Sequence, residues 1–177
     1  MVRQILQAAD SQPSWGRWFR QCLYVPWRTR QYFSAASLAQ IEQAVSAAEQ
    51  GHQGEIRVVI EGALPLYSAY RMGARQRARE LFGLLRVWDT EHNTGLMLYL
   101  NLCERHVEIV ADRGIDGMAG GAYWQSICEQ MTQRLAAGQH TEAVLHGVEQ
   151  LGRALKRFYD QVDAEGNELP NAPVLLR

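Results

Sequence analysis

Segment 89–93 concentrates side chains that can bind a cation, and it lies directly before an apolar run. Asp89, Glu91 and Asn93 alternate within it, and the apolar run 96–100 follows. Carboxylate and amide oxygens are hard ligands, which suit calcium or magnesium and suit zinc poorly. The segment is therefore a candidate for one part of a cation site, provided that further oxygen ligands converge on it.

The elements that must position this segment are predicted from periodicity. Apolar residues at helical spacing after Ser37 predict a first helix, and Ser37 with Gln40 matches a capping box. The β-branched run 54–61 predicts a strand. The run 96–100 is apolar throughout, which is typical of a strand covered on both faces. Alternation over 106–112 predicts a third strand.

The connections between these elements predict the architecture. One helix joins the first two strands, which makes them parallel, and the short turn before the third strand makes an antiparallel hairpin. Two amphipathic helices complete the order, one over 124–135 and one over 144–158. The sequence therefore predicts an α/β fold with a mixed sheet between helical layers.

Strand direction then predicts which loops meet. Parallel strands begin at the same edge of a sheet, and the third strand returns to that edge. Glu61 falls at the opposite edge. The loop is not an EF-hand, because Thr94 and Leu100 replace the required glycine and glutamate. The candidate ligands, with calcium expected before magnesium and unliganded surface carboxylates as the alternative, are Glu55, Asp89, Glu91, Asn93, Asp112 and Asp116.

Composition excludes several classes of protein. A net charge of -1 over 177 residues does not favour a nucleic-acid-binding protein. The three cysteines lack metal-ligand spacing, which suits reduced thiols in a cytosolic protein. No apolar run approaches the ~20 residues of a membrane span, and the amino terminus lacks the apolar core of a signal peptide. A cytoplasmic protein, with membrane association left open, is therefore expected.

The chain is predicted to have three parts: a basic aromatic arm over 1–33, the α/β domain over 34–159 and a flexible tail over 160–177. The arm holds five arginines and one aspartate, a net charge of +4 that leaves -5 for the remainder. It is interpreted either as a peripheral anchor at a bilayer surface or as a segment whose aromatics dock on the domain or on a second subunit. Docking is favoured, because so short a stretch gives no dependable amphipathic pattern.

The motifs resemble the TPM domain family, named for thylakoid lumen, photosystem-repair and MOLO-type proteins. The resemblance is carried by Gly54-Glu-Ile-Arg-Val-Val-Ile, by Asn93-Thr-Gly-Leu-Met-Leu-Tyr-Leu and by Arg105-His-Val-Glu-Ile-Val-Ala-Asp-Arg-Gly-Ile, followed by Trp124, Met131, Gly138, Val144 and Gly147. It implies a three-layer α/β/α sandwich with a Rossmann-like mixed sheet. It also implies calcium binding at the sheet edge.

The resemblance leaves two functions open. One is a non-catalytic, calcium-binding interaction module linked to membrane-protein maintenance, acting on an unknown protein partner. The other is a metal-dependent acid phosphatase, in which the metal polarises a phosphoryl oxygen and a carboxylate orients water. The module is favoured, because the sequence contains no residue that must be a nucleophile.

Overall fold

The computed structural model describes residues 13–158 and 168–176. Two short helices come first, α1 (Trp15–Leu23) and α2 (Trp27–Tyr32), followed by α3 (Ala35–Ala48) and β1 (Glu55–Glu61). The chain continues through α4 (Leu66–Ala69), α5 (Ala74–Leu84), β2 (Gly95–Asn101) and β3 (His106–Ala111), then α6 (Arg113–Ala119), α7 (Gly121–Ala136), α8 (His140–Phe158) and β4 (Val174–Leu176).

The four strands form one mixed sheet in the order β3-β2-β1-β4. β1 is parallel to β2, with Glu55 opposite Gly95, and β2 is antiparallel to β3. The predicted parallel pair and hairpin are therefore confirmed. β4 adds a second parallel partner to β1, with Val59 opposite Val174.

Helices cover both faces of the sheet, which confirms the predicted α/β/α sandwich. Ile56, Val58 and Leu98 point to the face covered by α3, α7 and α8, where the larger apolar cluster forms. Met97 and Tyr99 alternate with them and pack beneath α5 in a second cluster. Every residue of β2 is buried, as an apolar run in a central strand predicts.

Three local features differ from the sequence-based expectations. The side chain of Ser34 caps α3 by accepting the N–H of Ser37, so this helix begins before the predicted box. The glycine-rich segment after Asp112, for which no element is predicted, forms α6, because Asp112 caps it and Ile115 anchors it in the core. The tail pattern predicts no element, yet residues 174–176 form β4.

The described part of the arm lies against the domain. α1 spans Trp15–Leu23, and Phe33 is fully buried in the larger cluster. Residues 1–12 of the predicted arm and 159–167 of the predicted tail lie outside the described residues. Within the described parts of the chain, no helix has both the length and the apolar character needed to cross a bilayer.

Candidate functional site

The start of β1, the start of β2 and the end of β3 meet at one edge of the sheet. Glu55 is in register with Gly95, and the N–H of Asp112 donates to the carbonyl of Gly95 over 2.9 Å. Glu55, segment 89–93 and Asp112 therefore surround the start of β2, and they are called the acidic edge below. Glu55 and Asp112 lie two strands apart, which separates their backbones by roughly 10 Å.

Asp112 is the most distinctive group of the acidic edge. Its carboxylate is buried at the amino terminus of α6, where Oδ1 accepts the N–H of Arg113 over 2.6 Å. Oδ2 is buried and has no hydrogen-bond partner within the described structure. Buried carboxylate oxygens are normally paired, because an unpaired one loses its hydration without compensation. This oxygen is therefore available to an added donor or cation.

Glu55 is also buried, but its oxygens are engaged by the carboxyl-terminal segment. Oε1 accepts the N–H of Glu168 over 3.2 Å, and Oε2 accepts the N–H of Leu169 over 3.1 Å. The carboxylate of Glu168 in turn accepts the N–H of Glu91 over 3.2 Å. The tail thus occupies the β1 side of the acidic edge and brings one more carboxylate to it.

The remaining predicted ligands are exposed. Asp89, Glu91 and Asn93 lie on the surface of the loop before β2, and Asn93 has a left-handed φ of 54°. Asp116 projects from α6, where Oδ1 accepts the indole N–H of Trp124 over 3.2 Å. Across residues 13–158 and 168–176, no three His, Cys, Asp or Glu side chains are grouped closely enough to hold a metal ion.

Glu49, at the carboxyl end of α3, is a further acid near this edge. Burial raises its pKa to about 8, and the nearby charge of Glu55 acts in the same direction. Its Oε1 accepts the N–H of Ile56 over 2.8 Å, which opposes the rise. Glu49 therefore binds a proton near neutral pH, which reduces the repulsion at the start of β1.

Glu61 lies at the opposite end of β1, as predicted, and forms a buried polar cluster there. The hydroxyl of Tyr99 donates to Oε2 over 2.6 Å, and the guanidinium of Arg77 pairs with Oε1 at 3.0 Å. The amide of Asn101 donates to the Tyr99 hydroxyl over 3.0 Å. Both oxygens of the Glu61 carboxylate are therefore paired. Because Arg77 lies on α5 and Glu61 lies on β1, their ion pair joins α5 to the sheet.

A groove of about 770 Å³ runs along β3, the edge strand, between α5 and α7. Glu108 lies in it and accepts from His106 over 3.0 Å and from Arg75 over 3.1 Å. Burial alone would raise the pKa of Glu108, but these two partners outweigh it and lower the pKa. Arg79 and Arg105 also line the groove and make no ion pair with the described residues.

The groove contains one thiol, that of Cys128. Burial raises its pKa to about 12, and the charge of Glu108 acts in the same direction. The thiol therefore stays protonated at neutral pH and is a poor nucleophile. The groove can hold an anion, but Cys128 supplies no reactive group to attack it.

Sequence analysis missed Glu49, Glu168 and the groove residues. Glu49 is the C-cap residue of α3, and Glu168 lies in a stretch without periodicity. Neither residue therefore carries a local pattern that would place it at the acidic edge. The groove residues His106 and Glu108 do alternate on β3, which could have indicated a shared face. Arg75 is distant in sequence and carries no such signal.

Comparisons with known proteins agree with this architecture. The model of the TPM domain family matches residues 28–154. The solution structure of the BA42 protein from the psychrophilic bacterium Bizionia argentinensis is similar, with a TM-score of 0.71, 23% identity, and coverage of 81% of this chain and 94% of that one.

A second solved structure is the N-terminal domain of a protein from P. gingivalis, with a TM-score of 0.62, 18% identity, and coverage of 76% of this chain and 83% of that one. At these identities the two structures support the fold alone. A comparison with curated proteins finds no match. Because the family model spans most of the sequence, including strands β1 to β3 and helix α7, the chain belongs to the TPM domain family.

Proposed function

We propose that this chain is a non-catalytic interaction module, in which a bound calcium ion orders the acidic edge for contact with a partner protein. Membrane-protein maintenance is the context proposed for that partner, following the family resemblance. Magnesium is the second choice of ion, because it demands stricter octahedral geometry than exposed loop ligands provide.

The observation that carries the proposal is the buried, unpaired Oδ2 of Asp112. A cation would compensate this oxygen directly. The N–H of Asp112 donates to the carbonyl of Gly95, which lies two residues after Asn93, so segment 89–93 would supply the further ligands after a rearrangement of its side chains. Calcium accepts six to eight oxygens, about half of which would be water or backbone carbonyls here.

The proposed ligands are Asp112, Asp89, Glu91 and Asn93. Glu55 and Asp116 are not included among the proposed ligands, because their carboxylates already accept hydrogen bonds. Glu55 accepts two backbone N–H groups, and Asp116 accepts the indole N–H of Trp124. Ordering of an exposed loop by an ion would create a defined surface next to the start of β2. That change in order is the proposed link between calcium and partner binding.

Thermal unfolding with calcium and with a chelator tests this proposal. Calcium at a hundredfold excess over its dissociation constant should stabilise the protein by about 2.7 kcal/mol. Asp112→Asn should abolish the shift, because it removes the charge and keeps an oxygen to cap α6. Glu142→Gln, an exposed acid at the start of α8, is the control and should keep the shift. An unmoved melting temperature in the wild type, with either ion, would end the proposal.

The second candidate function is a phosphoester hydrolase, and one observation favours it. The groove along β3 combines Arg79 and Arg105 with the His106–Glu108 pair, a set that can bind a phosphoryl group and move a proton. Turnover of p-nitrophenyl phosphate, with and without divalent cations, tests it. Activity that Asp112→Asn or His106→Ala removes would support the hydrolase, whereas no turnover under any condition would eliminate it.

A further inference from the structure

Helix α1 is amphipathic in the reverse of the usual sense. Its buried side chains are polar: Arg17 is 6% exposed and Gln21 is 4% exposed. Its apolar side chains Trp15, Phe19 and Leu23 are 62%, 58% and 79% exposed, respectively. A helix that packs on its own domain normally buries its apolar stripe. The exposed apolar stripe of α1 is therefore available for contact with a lipid bilayer or another molecule.

Specific polar contacts hold α1 in this orientation. The guanidinium of Arg17 donates to the carbonyls of Ala69 and Tyr70 over 2.7 and 3.1 Å. The side-chain oxygen of Gln21 accepts the N–H of Leu64 over 2.8 Å. Rotation of the helix by half a turn would break these three hydrogen bonds. The orientation that exposes the aromatics is therefore built into the packing.

A further exposed aromatic side chain follows α1 in the chain. Trp27, at the start of α2, is 61% exposed. The rings of Trp15 and Trp18 are 6.1 Å apart, and those of Trp18 and Phe19 are 5.2 Å apart, which makes a continuous aromatic row. We call the exposed surface of Trp15, Phe19, Leu23 and Trp27 the aromatic face. A group of exposed large apolar side chains on a surface typically marks an interaction site.

The sequence that carries the aromatic face is basic. Residues 13–41 contain four arginines and no acidic residue. Arg20 pairs with Glu104 at 2.9 Å, whereas Arg28 and Arg30 are exposed and make no ion pair with the described residues. Exposed tryptophan next to arginine suits the boundary between headgroups and acyl chains of an anionic bilayer.

From these observations we infer that the aromatic face, flanked by Arg28 and Arg30, is a peripheral docking surface for an anionic lipid bilayer. Trp15, Phe19 and Trp27 enter the headgroup region, and the two arginines lie against lipid phosphates. The contacts of α1 are with the chain that follows β1 and with Glu104 of the β2–β3 turn. The acidic edge is at the other end of the strands, roughly 20 Å away, and faces away from the lipid.

Co-sedimentation of the full chain with lipid vesicles tests the inference. The chain should bind phosphatidylcholine vesicles that contain about one third phosphatidylglycerol, and it should bind pure phosphatidylcholine far more weakly. Binding should fall as salt rises from about 0.1 M to about 1 M, since the Debye length shrinks from about 10 Å to about 3 Å. A chelator should not change it, because no calcium takes part. Binding that requires calcium, or that ignores lipid charge, would overturn the inference.

Two sets of variants locate the surface. Arg28→Glu with Arg30→Glu should weaken partitioning more than tenfold, because each arginine near an anionic surface contributes about fivefold. Arg79→Glu with Lys156→Glu makes the same change in net charge elsewhere and should have a much smaller effect. Trp15→Ser, Phe19→Ser and Trp27→Ser together should reduce binding at least about tenfold. The control variant Leu84→Ser with Trp88→Ser alters exposed apolar residues elsewhere and should leave vesicle binding unchanged.

Two other occupants of the aromatic face are distinguished by the same samples. Light scattering that shows a dimer of the wild type and a monomer of the triple serine variant, without vesicle binding, would assign the face to a second copy and overturn the inference. Vesicle binding that occurs only after removal of residues 1–12 would show that this segment occupies the aromatic face in the full chain, and would also overturn the inference. All the substituted side chains are exposed, so each variant is expected to fold. Circular dichroism checks this expectation.

Discussion

Glu49 is the residue from which a pH dependence of stability is expected. Burial is the main cause that raises its pKa to about 8 in the folded protein, whereas in the unfolded chain its pKa has the ordinary glutamate value of about 4.5. Between these two pKa values the folded state binds more protons than the unfolded state. Stability therefore falls as pH rises from about 5 to about 9. At lower pH both states are protonated, and this contribution is fully present.

Urea unfolding across that pH range measures the effect. Glu49→Gln should flatten the profile and should be more stable than the wild type at the alkaline end, because glutamine keeps an oxygen for the N–H of Ile56 and carries no charge. Glu42→Gln, on the exposed side of the same helix, should reproduce the wild-type slope. A Glu49→Gln profile parallel to that of the wild type would contradict the prediction.

Gly95 is the second residue with a sharp expectation. A Cβ at this position would lie 1.9 Å from the backbone carbonyl oxygen of Val87. Backbone cannot move aside as a flexible side chain can, so Gly95→Ala should destabilise the fold by at least about 2 kcal/mol. The matched control is Gly83→Ala in α5, where a Cβ meets nothing within 4 Å and the helix gains about 0.5–1 kcal/mol. Equal urea midpoints for the two variants would disprove the account.

At the scale of elements, the ion pair between half-buried Arg77 and buried Glu61 fixes α5 on the sheet. Arg77→Leu leaves the carboxylate of Glu61 buried without a countercharge, which costs about 3–5 kcal/mol. Arg79→Leu changes an exposed arginine two residues along the same helix and should stay within about 0.5 kcal/mol of the wild type. Chemical denaturation compares the two directly. A loss below about 1 kcal/mol for Arg77→Leu would show that Tyr99 and Asn101 suffice to hold Glu61.

At the scale of the whole molecule, the carboxyl-terminal segment completes the sheet. β4 covers the free edge of β1, Leu169 packs in the cluster under α5, and Arg57 donates to the carbonyl of Ala172 over 3.2 Å. Deletion of residues 168–177 should lower the unfolding midpoint and promote self-association, because the edge of β1 becomes available to other chains. Leu169→Ala alone should cost about 2–3 kcal/mol without exposing that edge.

Light scattering and urea unfolding separate these two effects. The deletion should show both lower stability and larger particles, whereas Leu169→Ala should show lower stability alone. A deletion variant that unfolds like the wild type and stays the same size would mean that β4 contributes nothing to the fold.

The fold follows largely from local patterns. The fully apolar run of β2 and the alternation of β3 are visible in the sequence, and their short connection leaves only a hairpin. Strand direction alone placed Glu55 and Asp112 at one edge and Glu61 at the other, as the register shows. Whether the acidic edge binds calcium stays a prediction, since the described residues form no preassembled metal cluster.

Periodicity determined the order of elements and the buried faces, because it reports how each segment meets a core. The tertiary structure alone decided which contacts join distant segments. Glu55 is bound by amides more than one hundred residues away, and the orientation of α1 depends on Ala69 and Tyr70. Such contacts leave no local pattern, because either partner by itself is an ordinary polar residue. The unpaired oxygen of Asp112 and the outward aromatic face become visible only once the chain is packed.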